Sequence, residues 1–279
     1  MIMSAFGNWS GGYVEWTEGH TAYLSVVFSW QLSQAFQRAA WLQAEGYHVR
    51  AGGPAVALNP DYLADVAEIG GDINALSRHN PNATFTSRGC IRKCPFCAVP
   101  RIEGELRELD DWEPKPIVCD NNLLACSRAH FDRVIDRLKP LSGVDFNQGL
   151  DARLLTDYHA QRLAELKTKC IRLAWDDVRT ESRFMAAFER LRKAGFSTRH
   201  IRVYVLIGFN DTPQDALYRL EKIRGLGAWL NPMRYQPLNA QRRNEYVAPG
   251  WTDHELKRFM RYWSRQAWLE HIPFEEFQY

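Results

Sequence analysis

From Ala83 to about residue 240 the sequence alternates short apolar runs with longer amphipathic stretches. Strands are predicted near 83–87, 116–120, 144–148, 170–176, 201–207 and 232–237, and helices near 129–139, 157–167, 181–195 and 213–225. Thr212-Pro213-Gln214-Asp215 marks a helix start, with a capping hydroxyl, proline in the first turn and an acid at the third position. Adjacent parallel strands cannot be joined by a tight turn. Strand–helix alternation of this length therefore implies a parallel sheet covered by helices. The stretch 98–115 breaks the pattern and is expected to be a long loop in place of the first helix.

Before the alternation lies a shorter β-α-β-α pattern. Residues 23–28 read as a buried strand, a helix follows over 33–45, and a second strand from Val49 stops at Gly52-Gly53-Pro54. Asn59-Pro60 offers a further helix start. After the alternation a final helix is predicted over 253–270, opened by Thr252-Asp253-His254-Glu255. Leu256, Phe259, Met260, Trp263 and Ala267 form its core stripe, and Arg258, Arg261 and Arg265 a second stripe. The chain thus divides into an N-terminal extension (1–82), a core (83–240) and a C-terminal helical extension (241–279).

Three cysteines fall in the segment that leaves the first strand of the core. Cys90, Cys94 and Cys97 stand in Ser87-Arg88-Gly89-Cys90-Ile91-Arg92-Lys93-Cys94-Pro95-Phe96-Cys97. Three thiolates in one loop suit three corners of a cubane iron–sulfur cluster and leave the fourth iron open to a small chelating molecule. A structural zinc site, the rival reading, wants four ligands in paired spacing. Cys119, Cys126 and Cys170 lack that spacing and are expected to be buried free thiols. The clustering argues against a disulfide framework.

This spacing, with an aromatic residue before the last cysteine, resembles the signature of the radical S-adenosylmethionine (radical SAM) superfamily. The resemblance implies a partial (β/α)6 barrel, a [4Fe–4S] cluster on Cys90, Cys94 and Cys97, and S-adenosyl-L-methionine on the open iron. Reductive cleavage of that sulfonium yields a 5′-deoxyadenosyl radical that abstracts hydrogen from a substrate. It implies cofactor contacts for Phe96 near adenine, and for Asp120, Asn121 and Asn122, which occupy the place of the family's glycine-rich motif at the second strand end. Gly208, in Tyr204-Val205-Leu206-Ile207-Gly208-Phe209, is expected to let adenine approach the backbone.

Other strand ends supply further candidates. Period-two spacing puts Asn147, Asp151 and Arg153 on one face, and Arg153 suits a carboxylate or an anionic substrate. Arg172 and Asp176 share a face, as do Arg234 and Gln236. Asp176 is the candidate for ribose hydroxyls, Asp151 and Gln236 are further cofactor contacts, and Arg172, Tyr204 and Arg234 are the substrate candidates. No catalytic residue is assigned. The N-terminal extension resembles the start of the cobalamin-binding domain that precedes many radical SAM cores, including the Gly-Gly-Pro turn. It has fewer strands and lacks the Asp-x-His-x-x-Gly motif, so no cobalamin is expected.

Composition narrows the setting. A net charge of +2 does not by itself indicate a nucleic-acid partner. No apolar stretch approaches the length of a membrane span, and residues 1–8 lack the basic start and apolar run of a secretory signal. A cytoplasmic protein served by a flavodoxin- or ferredoxin-type reductant is expected. In size and motif style the chain resembles phage enzymes that isomerise glycyl-modified thymidine in viral DNA. That would make DNA the partner, with Arg234, Arg242, Arg243, Arg258 and Arg261 near its phosphates and Trp251 or Phe209 stacking on a flipped base. The rival readings are a radical enzyme acting on a small metabolite or peptide, and a non-enzymatic metal-binding protein.

Overall fold

The computed structural model describes residues 9–70, 75–269 and 271–278. Residues 1–8, read above for a signal, and Glu270 of the predicted final helix lie outside the described residues. In chain order the elements are β1 (Tyr13–Glu18), β2 (Thr21–Val26), α1 (Leu32–Ala44), β3 (His48–Gly52), α2 (Pro54–Leu58), β4 (Glu68–Ile69), α3 (Leu76–His79), β5 (Ala83–Thr84), β6 (Ser87–Arg88), α4 (Val99–Ile102) and β7 (Arg107–Glu108). They continue as β8 (Ile117–Val118), α5 (Arg128–Leu138), β9 (Ser142–Phe146), α6 (Asp157–Leu163), β10 (Lys167–Ala174), α7 (Glu181–Lys193), β11 (Ile201–Ile207), α8 (Pro213–Gly225), β12 (Trp229–Arg234), α9 (Asp253–Trp263) and α10 (Gln266–Leu269).

Two compact units emerge. The smaller holds residues 1–84, 92–104 and 236–243, and the larger holds 85–91, 105–235 and 244–279. The smaller is built on a four-stranded sheet in the order β1-β2-β3-β4. β2, β3 and β4 are parallel, while β1 joins β2 as an antiparallel hairpin across Gly19-His20. The sequence pattern predicts two strands here; β1, whose residues are half-buried or exposed, and the two-residue β4 carry little apolar signal and are not predicted by it. Ala22, Leu24, Val26, Val49 and Ala51 pack with Leu32, Ala35, Ala39 and Leu42 of α1 in a small core.

The larger sheet has six strands in the order β12-β11-β10-β9-β8-β5. The pairings β8–β9, β9–β10, β10–β11 and β11–β12 are all parallel. This is an α/β architecture, as the alternation predicted. Among the described residues the two edge strands do not pair, so the sheet is open. Strands that follow one another in spatial order, joined by crossovers of one hand, put every connecting helix on the same face. The core confirms it. Val144, Phe146, Ile171, Leu173, Ile201, Val203, Val205 and Ile207 bury against Phe131, Ile135, Leu163, Phe184, Phe188, Leu220 and Ile223 of α5 to α8. The alternate residues Asp145, Arg172 and Tyr204 face the other way and are polar.

Four predicted elements differ. Asn59-Pro60 opens only a 3-10 turn, Pro60–Tyr62, and the helix of this region, α2, lies before it. The strand over 83–87 is split, because the Thr86 N–H is donated to the Asp120 carboxylate at 2.6 Å and not to a neighbouring strand. The long loop over 98–115 contains α4 and β7, and β7 pairs antiparallel with β6. The final helix ends at Trp263, and α10 follows as a separate turn. Among the described residues no helix is long and apolar enough to cross a membrane.

Candidate functional site

The segment leading into the cysteine loop is anchored from below. Asp120, past the end of β8, is buried and accepts the Thr86 N–H, the Thr86 hydroxyl and the Ser87 hydroxyl, the last at 2.8 Å. Burial pushes its carboxyl above the ordinary aspartate range although these donors pull the other way. His130 continues the network. Arg133 donates to its Nδ1 at 2.9 Å, which leaves the ring proton on Nε2, 3.3 Å from the Thr86 hydroxyl. Desolvation lowers the pKa of His130, in keeping with a neutral ring. Asp120, expected to meet the cofactor, here holds the chain three residues before Cys90.

Asn122 is the strand-end residue that reaches the cysteine loop. It is 3% exposed, and its amide nitrogen lies 3.6 Å from Cys90 Sγ and 3.3 Å from Asp151 Oδ2. Arg153 forks onto the same carboxylate, Nε to Oδ1 at 2.7 Å and Nη2 to Oδ2 at 3.0 Å. Asn121 beside it is half-buried. The shared face predicted for Asn147, Asp151 and Arg153 does not form as a strand face. β9 stops at Phe146, and Gly149 turns the chain at φ 86°, so period-two spacing no longer applies. Asp151 and Arg153 meet instead across that turn.

The polar face of the sheet carries a buried ion pair. Arg172 grips Asp145 with Nε and Nη2, each at 2.6 Å, and donates from Nη1 to the Tyr204 hydroxyl at 2.9 Å. Tyr204 donates to the Asn147 carbonyl at 3.0 Å. Asp176 lies beyond β10, so it does not share a strand face with Arg172 as predicted. It accepts the Leu206 N–H at 2.9 Å, and burial raises its pKa against the pull of Arg219.

Arg234 closes β12 on the helix-facing side, donating to Asp253 Oδ1 at 2.9 Å and to the Tyr246 carbonyl at 2.7 Å. Gln236 falls past the strand end, so the face predicted for this pair is absent too. Gln236 and Phe96 are half-buried residues of the smaller unit. Gly208 has φ 73°, and a β-carbon there would stand 2.7 Å from Leu256 Cδ2. In this structure the close neighbour at Gly208 is a core leucine.

Two residues escaped the sequence reading. Arg219 is fully buried on α8 and donates to the carbonyls of Trp175 and Leu206 and to Asp211 Oδ2. Asp211 in turn accepts the N–H groups of Gly208 and Phe209. The signal was present, since Arg219 interrupts the apolar stripe Ala216, Leu220, Ile223 where a solvated arginine has no place.

Among the described residues none of the six cysteines is joined in a disulfide. Burial raises the pKa of the Cys119 thiol to about 12, that of Cys126 to about 11, and that of Cys170 above its usual value, which makes them poor ligands and nucleophiles. Cys90, Cys94 and Cys97 are half-buried, and the Cys97 N–H closes a turn on the Cys94 carbonyl at 3.0 Å. Among the described residues no three His, Cys, Asp or Glu side chains stand close enough to share one metal ion. The donor set itself, three thiols in a single loop with an amide directed at one of them, is of the chemical kind that holds a polynuclear iron–sulfur group. No family model matches the sequence, and no curated protein matches it.

Proposed function

We propose that the chain is a radical SAM enzyme whose Cys90, Cys94 and Cys97 ligate a [4Fe–4S] cluster. The observation that carries the reading is the cysteine loop itself, with thiols three and two residues apart, entered from a strand pinned by Asp120 and approached at Cys90 by the Asn122 amide. When bound, the cluster supplies the electron that cleaves S-adenosylmethionine to the hydrogen-abstracting 5′-deoxyadenosyl radical. The open sheet, with helices on one face and polar side chains on the other, is compatible with a partial (β/α)6 barrel. Asp120 fixes the approach to the loop, Asn121 and Asp176 are the proposed cofactor contacts, and a flavodoxin- or ferredoxin-type protein is the proposed reductant.

Thymidine modification in DNA is the substrate suggested by resemblance, and the structure commits part of its proposed contact set elsewhere. Arg258 donates to the carbonyls of Phe277, Phe274 and Glu275, and Trp251 is buried, with its indole N–H on the Asp211 carbonyl. Arg243 and Arg261 are exposed. Hydrogen abstraction is therefore the part of the reading that the site supports best.

The test is anaerobic reconstitution followed by iron and sulfide analysis. Wild type should bind four irons per chain, as a [4Fe–4S] group requires, and Cys94→Ala should lose the cluster. With dithionite and S-adenosylmethionine the loaded protein should release 5′-deoxyadenosine. One zinc and no sulfide in the wild type would end the proposal.

A further inference from the structure

We infer that Asn122 raises the reduction potential of the cluster through an N–H···S bond to Cys90, and that Asp151 and Arg153 hold its amide in that orientation. The inference rests on the cluster reading above and deepens it. An asparagine amide has a donor end and an acceptor end, and which one faces a neighbour is decided by the surrounding groups. Here the NH2 end faces two acceptors at once, Cys90 Sγ at 3.6 Å and Asp151 Oδ2 at 3.3 Å. Flipping the amide would turn Oδ1 toward a carboxylate and a sulfur, both electron-rich. Asp151 is itself fixed, because Arg153 forks onto both its oxygens and the Arg153 N–H reaches Oδ1 at 3.1 Å. The arginine also offsets the carboxylate charge, so Asp151 orients Asn122 without setting an uncompensated anion beside the thiolate.

The acceptor end points to the same conclusion. Asn122 Oδ1 is buried and has no hydrogen-bond partner among the described residues. An unpaired buried carbonyl costs free energy, and a side chain serving only to fill space would be replaced by an apolar one without that loss. Its retained feature is the donor end, directed at Cys90. An N–H directed at a ligating sulfur withdraws electron density. It favours the more negative, reduced cluster and so moves the potential upward.

The decisive measurement is an EPR-monitored redox titration of reconstituted wild type, Asn122→Leu, Asn122→Asp and the charge-balanced double variant Asp151→Asn with Arg153→Gln, each normalised to its iron and sulfide content. Asn122→Leu should make reduction harder by about tenfold in the equilibrium constant, equivalent to about 59 mV more negative for one electron. Asn122→Asp should shift further in the same direction, because it sets a negative charge beside the sulfur. Asp151→Asn combined with Arg153→Gln removes the ion pair without changing the net charge and should give a smaller negative shift, since it releases the amide but leaves it in place. If Asn122→Leu fails to load, the shifts of the Asp151→Asn, Arg153→Gln double variant and of Asn122→Asp decide the matter. Midpoints unchanged or moved upward in loaded variants would overturn the inference while leaving the cluster reading intact. A wild type that binds no sulfide would overturn both.

Discussion

The two sheets share a design and differ in what they bury. Each orders its strands sequentially and packs apolar residues against helices on one face. In the smaller unit the opposite face of β3 presents His48 and Arg50 toward Glu68, with side chains 30–59% exposed. In the larger unit the corresponding face carries Asp145 and Arg172, whose side chains are 6% and 5% exposed. Exposed pairs contribute about 0–1 kcal/mol and are screened by salt. A buried pair must overcome desolvation of both ions, and an apolar pair of similar volume is often as stable or more so. The larger sheet therefore carries a polar interior that folding alone does not demand. A bidentate Arg172–Asp145 pair tied to the Tyr204 hydroxyl is instead suited to fixing the orientation of these side chains on that face.

The largest effect that would break this contrast is at Arg172. Arg172→Leu leaves Asp145 buried without its partner and should lower unfolding stability by about 3–5 kcal/mol, measured by urea denaturation. Arg172→Leu combined with Asp145→Leu should recover most of that loss, because no charge is then left in the interior. A double variant as unstable as the single one would show that packing, and not the buried charge, holds this face.

A second test uses the sign of pH dependence. Burial raises the pKa of Asp120 in the larger unit, whereas the hydrogen bond from Arg38 lowers that of Glu15 in the smaller. A carboxyl with a raised folded pKa favours folding most when protonated. That contribution is fully present below the ordinary aspartate range and is lost as pH rises through the folded value. For Glu15 the sign reverses, with stability present above the ordinary glutamate range and lost as pH falls through the depressed value. The stability of wild type relative to Asp120→Asn should therefore decline with rising pH, and that relative to Glu15→Gln should increase. Slopes of the same sign in the two series would mean that the carboxyls do not sit in opposite environments.

Much of the frame could be read from local chemistry. β11 and α8 occupy the predicted 201–207 and 213–225, since Thr212 and Asp215 form a reciprocal capping box and the strand before them alternates buried Ile201, Val203, Val205 and Ile207 with half-buried residues. Cys119 and Cys170 are buried, as expected for thiols outside the cysteine loop, whereas Cys126, expected to be buried as well, is only half-buried. What eluded the pattern depends on long-range polar contacts. Asp120 splits a strand 34 residues away in sequence by capturing the Thr86 N–H. The strand-face pairings at Asp151, Asp176 and Gln236 failed because β9, β10 and β12 stop before those residues. Periodicity reports which face a residue occupies only while the strand lasts. Asn122, in contrast, was picked out as a strand-end residue, but its contact with Cys90 lies 32 positions away and has no local signature.

The smallest predicted effect is at the exposed face of the smaller sheet. Arg50 Nε lies 3.7 Å from Glu68 Oε1, beyond hydrogen-bond reach, and its guanidinium stands 6.0 Å from the Tyr23 ring centroid, at the outer limit of a cation–π contact. Neither contact is well formed, and the Glu68 side chain is 53% exposed. Arg50→Ala should change unfolding stability by about 0.5 kcal/mol or less, and the difference should shrink further in high salt. Urea denaturation of both proteins at low and high ionic strength measures it. A loss above about 1 kcal/mol that persists in salt would place this face closer in character to the buried Arg172–Asp145 layer. The polar faces of the two sheets would then differ in degree alone.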